Sequence, residues 1–167
     1  YEQYLFSVIQ AETESRKIRR IERCLKESQI PVEKSLETFV LNRLPNKIRQ
    51  QLNIIMEGQF LEHNENILVF GNPGSGKTHL ICALGHELIR KDKRVYFSSC
   101  SMLLQRMLAA KKEFKLPVFF KKLNKFDAVI IDDIGYVQQN KEEMEVLFTL
   151  LAERYERGSV MITSNLP

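Results

Sequence analysis

The segment GNPGSGKT places three glycines, a lysine and a hydroxyl residue at the spacing GxxxxGK[ST]. Glycine permits backbone angles that turn successive N–H groups toward an anion. A loop of this kind before a helix binds phosphate groups, with the lysine on the terminal phosphates and the threonine hydroxyl on Mg²⁺. We therefore predict a loop for a nucleoside triphosphate and Mg²⁺, made of Gly71, Asn72, Pro73, Gly74, Ser75, Gly76, Lys77, Thr78 and the following His79. The loop alone does not distinguish kinases, GTPases and ATP-driven proteins.

Two carboxylates follow the apolar run at residues 128–131, in FDAVIIDDIG. A buried strand tolerates paired acids at its tip when they have a chemical role there. Asp132 is placed to orient Mg²⁺, and Asp133 is placed to polarise the water that attacks the γ-phosphate. The simpler alternative is a strand-end turn in which an aspartate caps a helix.

A third polar strand end occurs in SVMITSN, where Asn165 could hydrogen-bond the attacking water or the γ-phosphate. Read alone, an ordinary turn explains Ser-Asn equally well. For His79, packing or a supporting hydrogen bond is favoured over a catalytic role.

The three cysteines are far apart in sequence, which predicts free thiols and a cytoplasmic location.

The elements that must position these residues follow from the apolar pattern. Four short apolar runs, at 67–70, 95–97, 128–131 and 160–162, alternate with helical patterns near 77–91, 101–111, 117–123 and 141–157. This alternation predicts an α/β fold with a parallel sheet covered by helices on both faces. In the last helix we expect a cap at Asn140 and a buried stripe of Met144, Leu147 and Leu151, and in the second we expect Met102, Leu103, Met107 and Leu108 in the core.

The N-terminal region differs, because residues 1 to about 29 contain neither glycine nor proline. Apolar residues recur there at helical spacing, namely Leu5, Val8, Ile9, Ile18, Ile21 and Leu25. We divide the chain into a helical DNA- or partner-binding region at 1–40, a connector with a helix at 41–66 and an ATPase core at 67–167. We expect the core to be incomplete at its C-terminus, because the sequence stops directly after a core strand.

Basic residues cluster in two places, although the formal net charge is only +4. A basic helix face could lie along DNA phosphates, and an ordinary solvated face is the alternative. The candidate DNA contacts are Arg16, Lys17, Arg19, Arg20 and Arg23, with Lys111 and Lys112 in the second cluster.

Taken together, NILVFGNPGSGKTHLICALG, FDAVIIDDIGY and LLAERYERGSVMITSNLP resemble the IstB-like ATPases of insertion-sequence transposition, relatives of the DnaC helicase loaders in the AAA+ class. The N-terminal AETESRKIRRIERCLKESQIPVEKSLETF is similar to that family too. The resemblance implies an AAA+ fold and ATP-dependent oligomers on duplex DNA that recruit and stimulate a transposase. It makes Lys77 and Thr78 Walker A, Asp132 and Asp133 Walker B and Asn165 sensor 1, with Lys77, Asp133 and Asn165 as the catalytic set. Asp133 stands where most AAA+ proteins have glutamate, which implies slower hydrolysis.

Two other functions stay open from the sequence. A helicase loader with a replicative helicase as its partner would share this ATPase. A small-molecule kinase would need an arginine-rich lid and an acceptor pocket, and the sequence offers neither.

Overall fold

A computed structural model describes residues 1–136 and 140–165, and within these ranges four parallel strands form one sheet. The strands are β1 (Ile67–Phe70), β2 (Val95–Ser99), β3 (Ala128–Asp132) and β4 (Ser159–Ser164). Their order is β1-β4-β3-β2, so the last strand lies between the first and the third. The carboxyl ends of β3 and β4 therefore lie beside the loop that follows β1.

Six α-helices surround this sheet in the described part of the chain. They are α1 (Glu2–Ser28), α2 (Asn46–Met56), α3 (Lys77–Arg90), α4 (Cys100–Lys112), α5 (Leu116–Leu123) and α6 (Lys141–Arg154). The Asn140 side chain accepts a hydrogen bond from the Glu142 N–H, which confirms the cap predicted for α6. None of these helices combines the length and the hydropathy needed to cross a bilayer.

Alternate residues of the strands enter two hydrophobic clusters, one on each face of the sheet. Ala128 and Ile130 of β3 pack with α3 and with the C-terminal part of α1. Val129 and Ile131 of the same strand pack with α4, α5 and α6. The predicted parallel α/β arrangement with helices on both faces is therefore confirmed for the central strands.

The edge strand β1 is less covered than we predicted. Leu68 and Phe70 are 57% and 58% exposed on the face that α6 covers elsewhere in the sheet. They share that face with Val129 and Ile131, because the sheet is parallel and in register. The helix reaches β4, and it leaves these two side chains of β1 in solvent.

The buried stripes of two helices also differ from the prediction. In α6 the buried apolar side chains are Val146, Leu147 and Leu150, Leu151 is half-buried, and Met144 is 53% exposed. In α4 Leu103 and Met107 are buried as expected, but Met102 is exposed. Apolar residues occupy a wide arc of each helix, and only packing decides which part of the arc faces the sheet.

Helix α1 packs over only its last turns. Ile21, Cys24 and Leu25 contact the cluster beneath α3, and Ile30 of the following connector is buried there as well. The apolar stripe predicted for α1 is not buried before residue 21, since Leu5, Val8, Ile9 and Ile18 are all exposed. The division of the chain at residue 40 stays a prediction.

Candidate functional site

The loop between β1 and α3 adopts the backbone conformation that its glycines permit. Gly74 and Gly76 have φ angles of 76° and 89°, a region that side-chain-bearing residues rarely enter. Helix α3 begins at Lys77, so its first unpaired N–H groups face the space enclosed by the loop. Backbone donors and the positive end of the helix dipole make this space suited to an anion.

Lys77 carries its ammonium into the middle of the loop. Its Nζ donates to the carbonyl oxygens of Gly71 at 2.7 Å and Asn72 at 2.8 Å. Because an ammonium has three donors and phosphate oxygens accept strongly, these bonds can be exchanged for bonds to a phosphate.

Asp132, at the end of β3, is fixed by two hydroxyl groups. Thr78, in the first turn of α3, donates to Asp132 Oδ1 at 2.9 Å, and Thr163 of β4 donates to the same oxygen at 2.6 Å. One carboxylate thereby joins the phosphate-binding loop to two neighbouring strand ends.

Asp133 follows with a φ of 62°, a left-handed conformation that aspartate tolerates better than most residues. Its backbone N–H donates to the Thr163 hydroxyl oxygen at 2.7 Å. Asn165 Nδ2 donates to Asp133 Oδ1 at 2.7 Å, which holds the carboxylate toward the loop. The sequence-predicted Thr78, Asp132, Asp133 and Asn165 are thus brought together.

Apart from Asp132, the side chains described so far line one cavity of about 370 Å³ between the loop and the strand ends. The residues that line it are Lys34, Pro73, Gly74, Gly76, Lys77, Thr78, His79, Asp133, Thr163 and Asn165. Asp132 and the Thr78 hydroxyl supply adjacent oxygen ligands of the type Mg²⁺ prefers. In the described ranges no three His, Cys, Asp or Glu side chains are grouped so that they could hold a metal ion. Mg²⁺ bound with phosphates needs only one or two protein ligands.

His79 contacts the connector that follows α1. Its Nε2 lies 3.0 Å from the Ser35 carbonyl oxygen and 3.0 Å from Thr38 Oγ1, and its ring meets Phe39 edge to face at 5.2 Å. A carbonyl oxygen only accepts, so Nε2 is the donor. These contacts agree with the supporting role that the sequence favoured for His79.

Two residues of the cavity were not singled out from the sequence. Thr163 had a signal, because a hydroxyl residue ends an otherwise apolar strand beside a predicted acidic pair. Lys34 had none, since it lies about forty residues before the loop and reaches the cavity only through the fold.

Charged residues of the site act on two buried thiols, those of Cys82 and Cys100. Burial raises the pKa of Cys82 to about 12, with Lys34 acting against the rise, and burial raises the pKa of Cys100 to about 11, with Asp133 adding to it. Both thiols are therefore protonated near neutral pH and unsuited to nucleophilic or metal-binding roles. All three cysteines are free, as predicted, and all three are buried.

The candidate DNA-binding residues are exposed on α1 and at the end of α4, apart from the half-buried Lys111. Three of them form surface ion pairs: Arg16 with Glu12 at 2.8 Å, Arg20 with Asp92 at 2.8 Å and Lys111 with Glu145 at 3.0 Å. The other four form no ion pair with a described residue, namely Lys17, Arg19, Arg23 and Lys112. Surface ion pairs contribute little free energy, so none of these groups is committed to its present partner.

Comparison with known proteins identifies the sequence family of this chain. The family model of IstB-like ATP binding proteins matches residues 1–167. An insertion-sequence ATP-binding protein of Sinorhizobium fredii is 41% identical over 165 residues, which cover 98% of this chain and 55% of the relative. The ATP-binding proteins of IS21 from Pseudomonas aeruginosa and IS5376 from Geobacillus stearothermophilus are 35% and 32% identical over 99% of this chain. The chain spans 55–66% of the length of these three relatives.

Solved structures give the fold. DnaA from Aquifex aeolicus bound to AMPPCP matches with a TM-score of 0.70 at 23% identity, over 83% of this chain and 43% of that chain. The DnaC helicase loader matches with a TM-score of 0.70 at 21% identity, over 81% of this chain and 79% of that chain. The described chain therefore has the AAA+ P-loop fold predicted from the sequence.

Proposed function

Since this chain belongs to the family of IstB-like ATP binding proteins, we propose that it binds and hydrolyses ATP with Mg²⁺ and uses the nucleotide to control assembly on duplex DNA during transposition. In this proposal the ATP-bound oligomer selects target DNA and recruits and stimulates a transposase.

The observation that carries the ATPase proposal is the hydrogen-bond network at the strand ends. Thr78, Asp132 and Thr163 are joined through one carboxylate oxygen, and Asn165 holds Asp133 beside them. A structural turn would need no such convergence of two carboxylates, two hydroxyls and an amide on a phosphate-binding loop.

The two aspartates receive different roles because their hydrogen bonds differ. Asp132 accepts two hydroxyl bonds and is fixed next to Thr78, so these two residues would hold Mg²⁺. When bound there, Mg²⁺ supplies positive charge against the phosphate oxygens. Asp133 lines the cavity, and among the described residues its side chain accepts a hydrogen bond from Asn165 alone. It can therefore accept a proton from an attacking water or orient that water.

Lys77 and the backbone of residues 71–76 would bind the phosphate chain and stabilise the charge that moves onto its oxygens. Asn165 would orient Asp133 and the water. Hydrolysis should be slow, because Asp133 is one methylene shorter than glutamate.

The DNA part of the proposal is supported by the exposed basic residues of α1 and by the insertion-sequence origin of the relatives. Contacts of this kind would be made to phosphates and would carry no direct sequence information. The similarity to the DnaC helicase loader is one of fold alone, so it does not favour a replicative helicase as the partner. A pull-down that captures a helicase in place of a transposase would replace the proposed partner and leave the ATPase unchanged.

A pair of substitutions tests the proposed roles. Lys77→Ala removes the phosphate-binding ammonium and should abolish ATP binding and assembly on DNA. Asp133→Asn keeps a side chain that tolerates the left-handed backbone, and it should retain ATP binding while slowing hydrolysis about 100-fold or more, within the usual range for general-base removal. The assembled state on duplex DNA should then accumulate in electron micrographs.

Asp92→Asn is the matched control, since Asp92 also has a positive φ, of 67°, and lies in an exposed turn after α3. Its ATPase rate should equal that of the wild type. Loss of ATP binding in Asp133→Asn as severe as in Lys77→Ala would show that the roles of the carboxylates are wrongly assigned.

A further inference from the structure

We propose that Lys34, in the connector that follows α1, is a second phosphate-binding lysine of the cavity and makes the site prefer a nucleoside triphosphate to a diphosphate. The inference rests on the proposed function, because it assumes that residues 71–78 bind ATP.

The first argument is position. Lys34 is half-buried and lines the cavity together with Lys77, Thr78, Asp133 and Asn165. Among the described lining residues it alone comes from the region before β1, so it reaches the site from a segment other than the loop. A phosphate chain bound in this cavity would meet two ammonium groups, those of Lys77 and Lys34.

The second argument is that the backbone around Lys34 is fixed to α3. His79 Nε2 donates to the Ser35 carbonyl oxygen at 3.0 Å, and His86 Nε2 donates to the Pro31 carbonyl oxygen at 3.1 Å. Pro31 also accepts from the Lys34 N–H at 3.2 Å. Since these anchors stand on both sides of Lys34, its backbone is held in a constant position relative to the cavity.

The third argument is the state of the ammonium itself. Among residues 1–136 and 140–165, no hydrogen bond or ion pair joins the Lys34 side chain to another residue. Lys77, by contrast, already donates to two loop carbonyls. A half-buried lysine without a partner beside a phosphate-binding loop retains its full capacity to bind an anion.

The fourth argument is that Lys34 shares its cavity with the residues we assign to the terminal phosphate. Asp133 and Asn165, assigned to the attacking water, and Thr78, assigned to Mg²⁺, line the same cavity. A phosphate chain bound by residues 71–78 would therefore place its terminal phosphate in the cavity that Lys34 lines.

The test compares affinities for ATP and ADP, each with Mg²⁺, by calorimetry on the purified protein. Lys34→Gln should weaken ATP binding about 10-fold or more, the size expected for one charge-assisted hydrogen bond, while ADP binding changes less than about 3-fold. Lys34→Arg keeps the positive charge and should restore the preference for ATP. Lys47→Gln removes the same charge from an exposed position on α2 and should bind both nucleotides as the wild type does.

Each outcome decides between the inference and the proposed function. Equal losses for ATP and ADP in Lys34→Gln, or no loss for either, would overturn the role of Lys34 while the Lys77→Ala result still supports the ATPase. Failure of Lys34→Arg to restore the preference would also count against it. If Lys77→Ala binds ATP as tightly as the wild type does, the proposed function fails first.

Discussion

At the scale of single residues, the adjacent Asp132 and Asp133 differ in their hydrogen-bond partners. Asp132 accepts hydrogen bonds from Thr78 and Thr163, whereas the Asp133 side chain accepts one from Asn165. The Thr163 hydroxyl oxygen also accepts a hydrogen bond from the Asp133 backbone N–H, so a single hydroxyl group positions both aspartates. Thr163 is therefore a positioning residue on which the separate roles proposed for the two aspartates depend.

Thr163→Val keeps the size and β-branched shape of the side chain and removes the hydroxyl. We expect ATP hydrolysis to fall about 10- to 100-fold, because a hydrogen bond to a charged group contributes about 1.5–3 kcal/mol. ATP binding should change much less, since the loop and Lys77 are untouched. Steady-state ATPase rates and nucleotide affinities measured on the same preparation check both expectations.

Thr163→Ser is the matched control, because it retains the hydroxyl and should keep most of the rate. If Thr163→Val hydrolyses ATP at the wild-type rate, the hydroxyl does not position the aspartates for catalysis. An equal loss in the serine variant would point instead to packing at the end of β4.

The sequence was sufficient for the loop residues and for the two aspartates, because their spacing is itself the chemical signal. Read alone, Asn165 was ambiguous, and only the family resemblance made it sensor 1. Its hydrogen bond to Asp133 depends on β4 lying beside β3, which no local pattern predicts. Lys34 could not be predicted, since its role depends on where a distant connector packs and on no local pattern.

At the scale of elements, one buried arginine joins α6 to the loops around β3. Arg154 is 1% exposed, and its guanidinium donates to the carbonyl oxygens of Leu123, Phe126, Asp127 and Ser159 at 2.9–3.2 Å. Burial lowers the pKa of this guanidinium, and Asp127 opposes the change. Gly158 is needed nearby, because a side chain there would collide with the same guanidinium.

Arg154→Met should destabilise the fold by about 2–4 kcal/mol, because it leaves buried carbonyl oxygens without a donor while retaining most of the side-chain volume. Urea denaturation followed by circular dichroism measures the change. Arg157→Met is the control three residues later, in an exposed position, and should cost less than about 0.5 kcal/mol.

A loss below about 1 kcal/mol for Arg154→Met would contradict this account of the buried arginine. The sequence indicated only that Arg154 and Arg157 are structural or interface residues. The burial of Arg154 could not be predicted, because arginine is rarely buried and the partners of its guanidinium lie in other segments. Element types were predictable from periodicity. The exposure of the apolar stripe of α1 and the shift of the buried stripe of α6 could not be predicted. Periodicity identifies an apolar face, but it does not show which element packs on that face.

At the scale of the whole molecule, the proposed DNA-binding surface is separate from the nucleotide cavity. The basic residues lie on α1, and the connector between α1 and β1 contacts the cavity through Lys34 and His79. The connector thus follows the proposed DNA-binding helix and contacts the nucleotide cavity. Whether ATP changes the affinity for DNA is a direct test of coupling between the two proposed sites.

Arg19 and Arg23 suit a test of this surface, because they are exposed and form no ion pair with described residues. Replacing both by glutamine should weaken binding to duplex DNA of any sequence. The slope of log K against log salt should fall in magnitude by about 1.8, or about 0.9 for each lost phosphate contact. Fluorescence anisotropy over a salt series measures it.

Lys47→Gln with Lys141→Gln removes the same charge from two exposed sites outside both basic clusters, and it should leave the slope unchanged. An identical reduction in both double variants would show that overall charge, and not the surface of α1, governs the affinity.

The most direct test of the central claim is a calorimetric titration of the wild-type protein and of Lys77→Ala with ATP and Mg²⁺. We expect a saturable heat with one nucleotide per chain in the wild type and none in the variant. Absence of heat from folded wild-type protein, or an unchanged titration in Lys77→Ala, would contradict the claim that residues 71–78 and the facing aspartates form an ATP site.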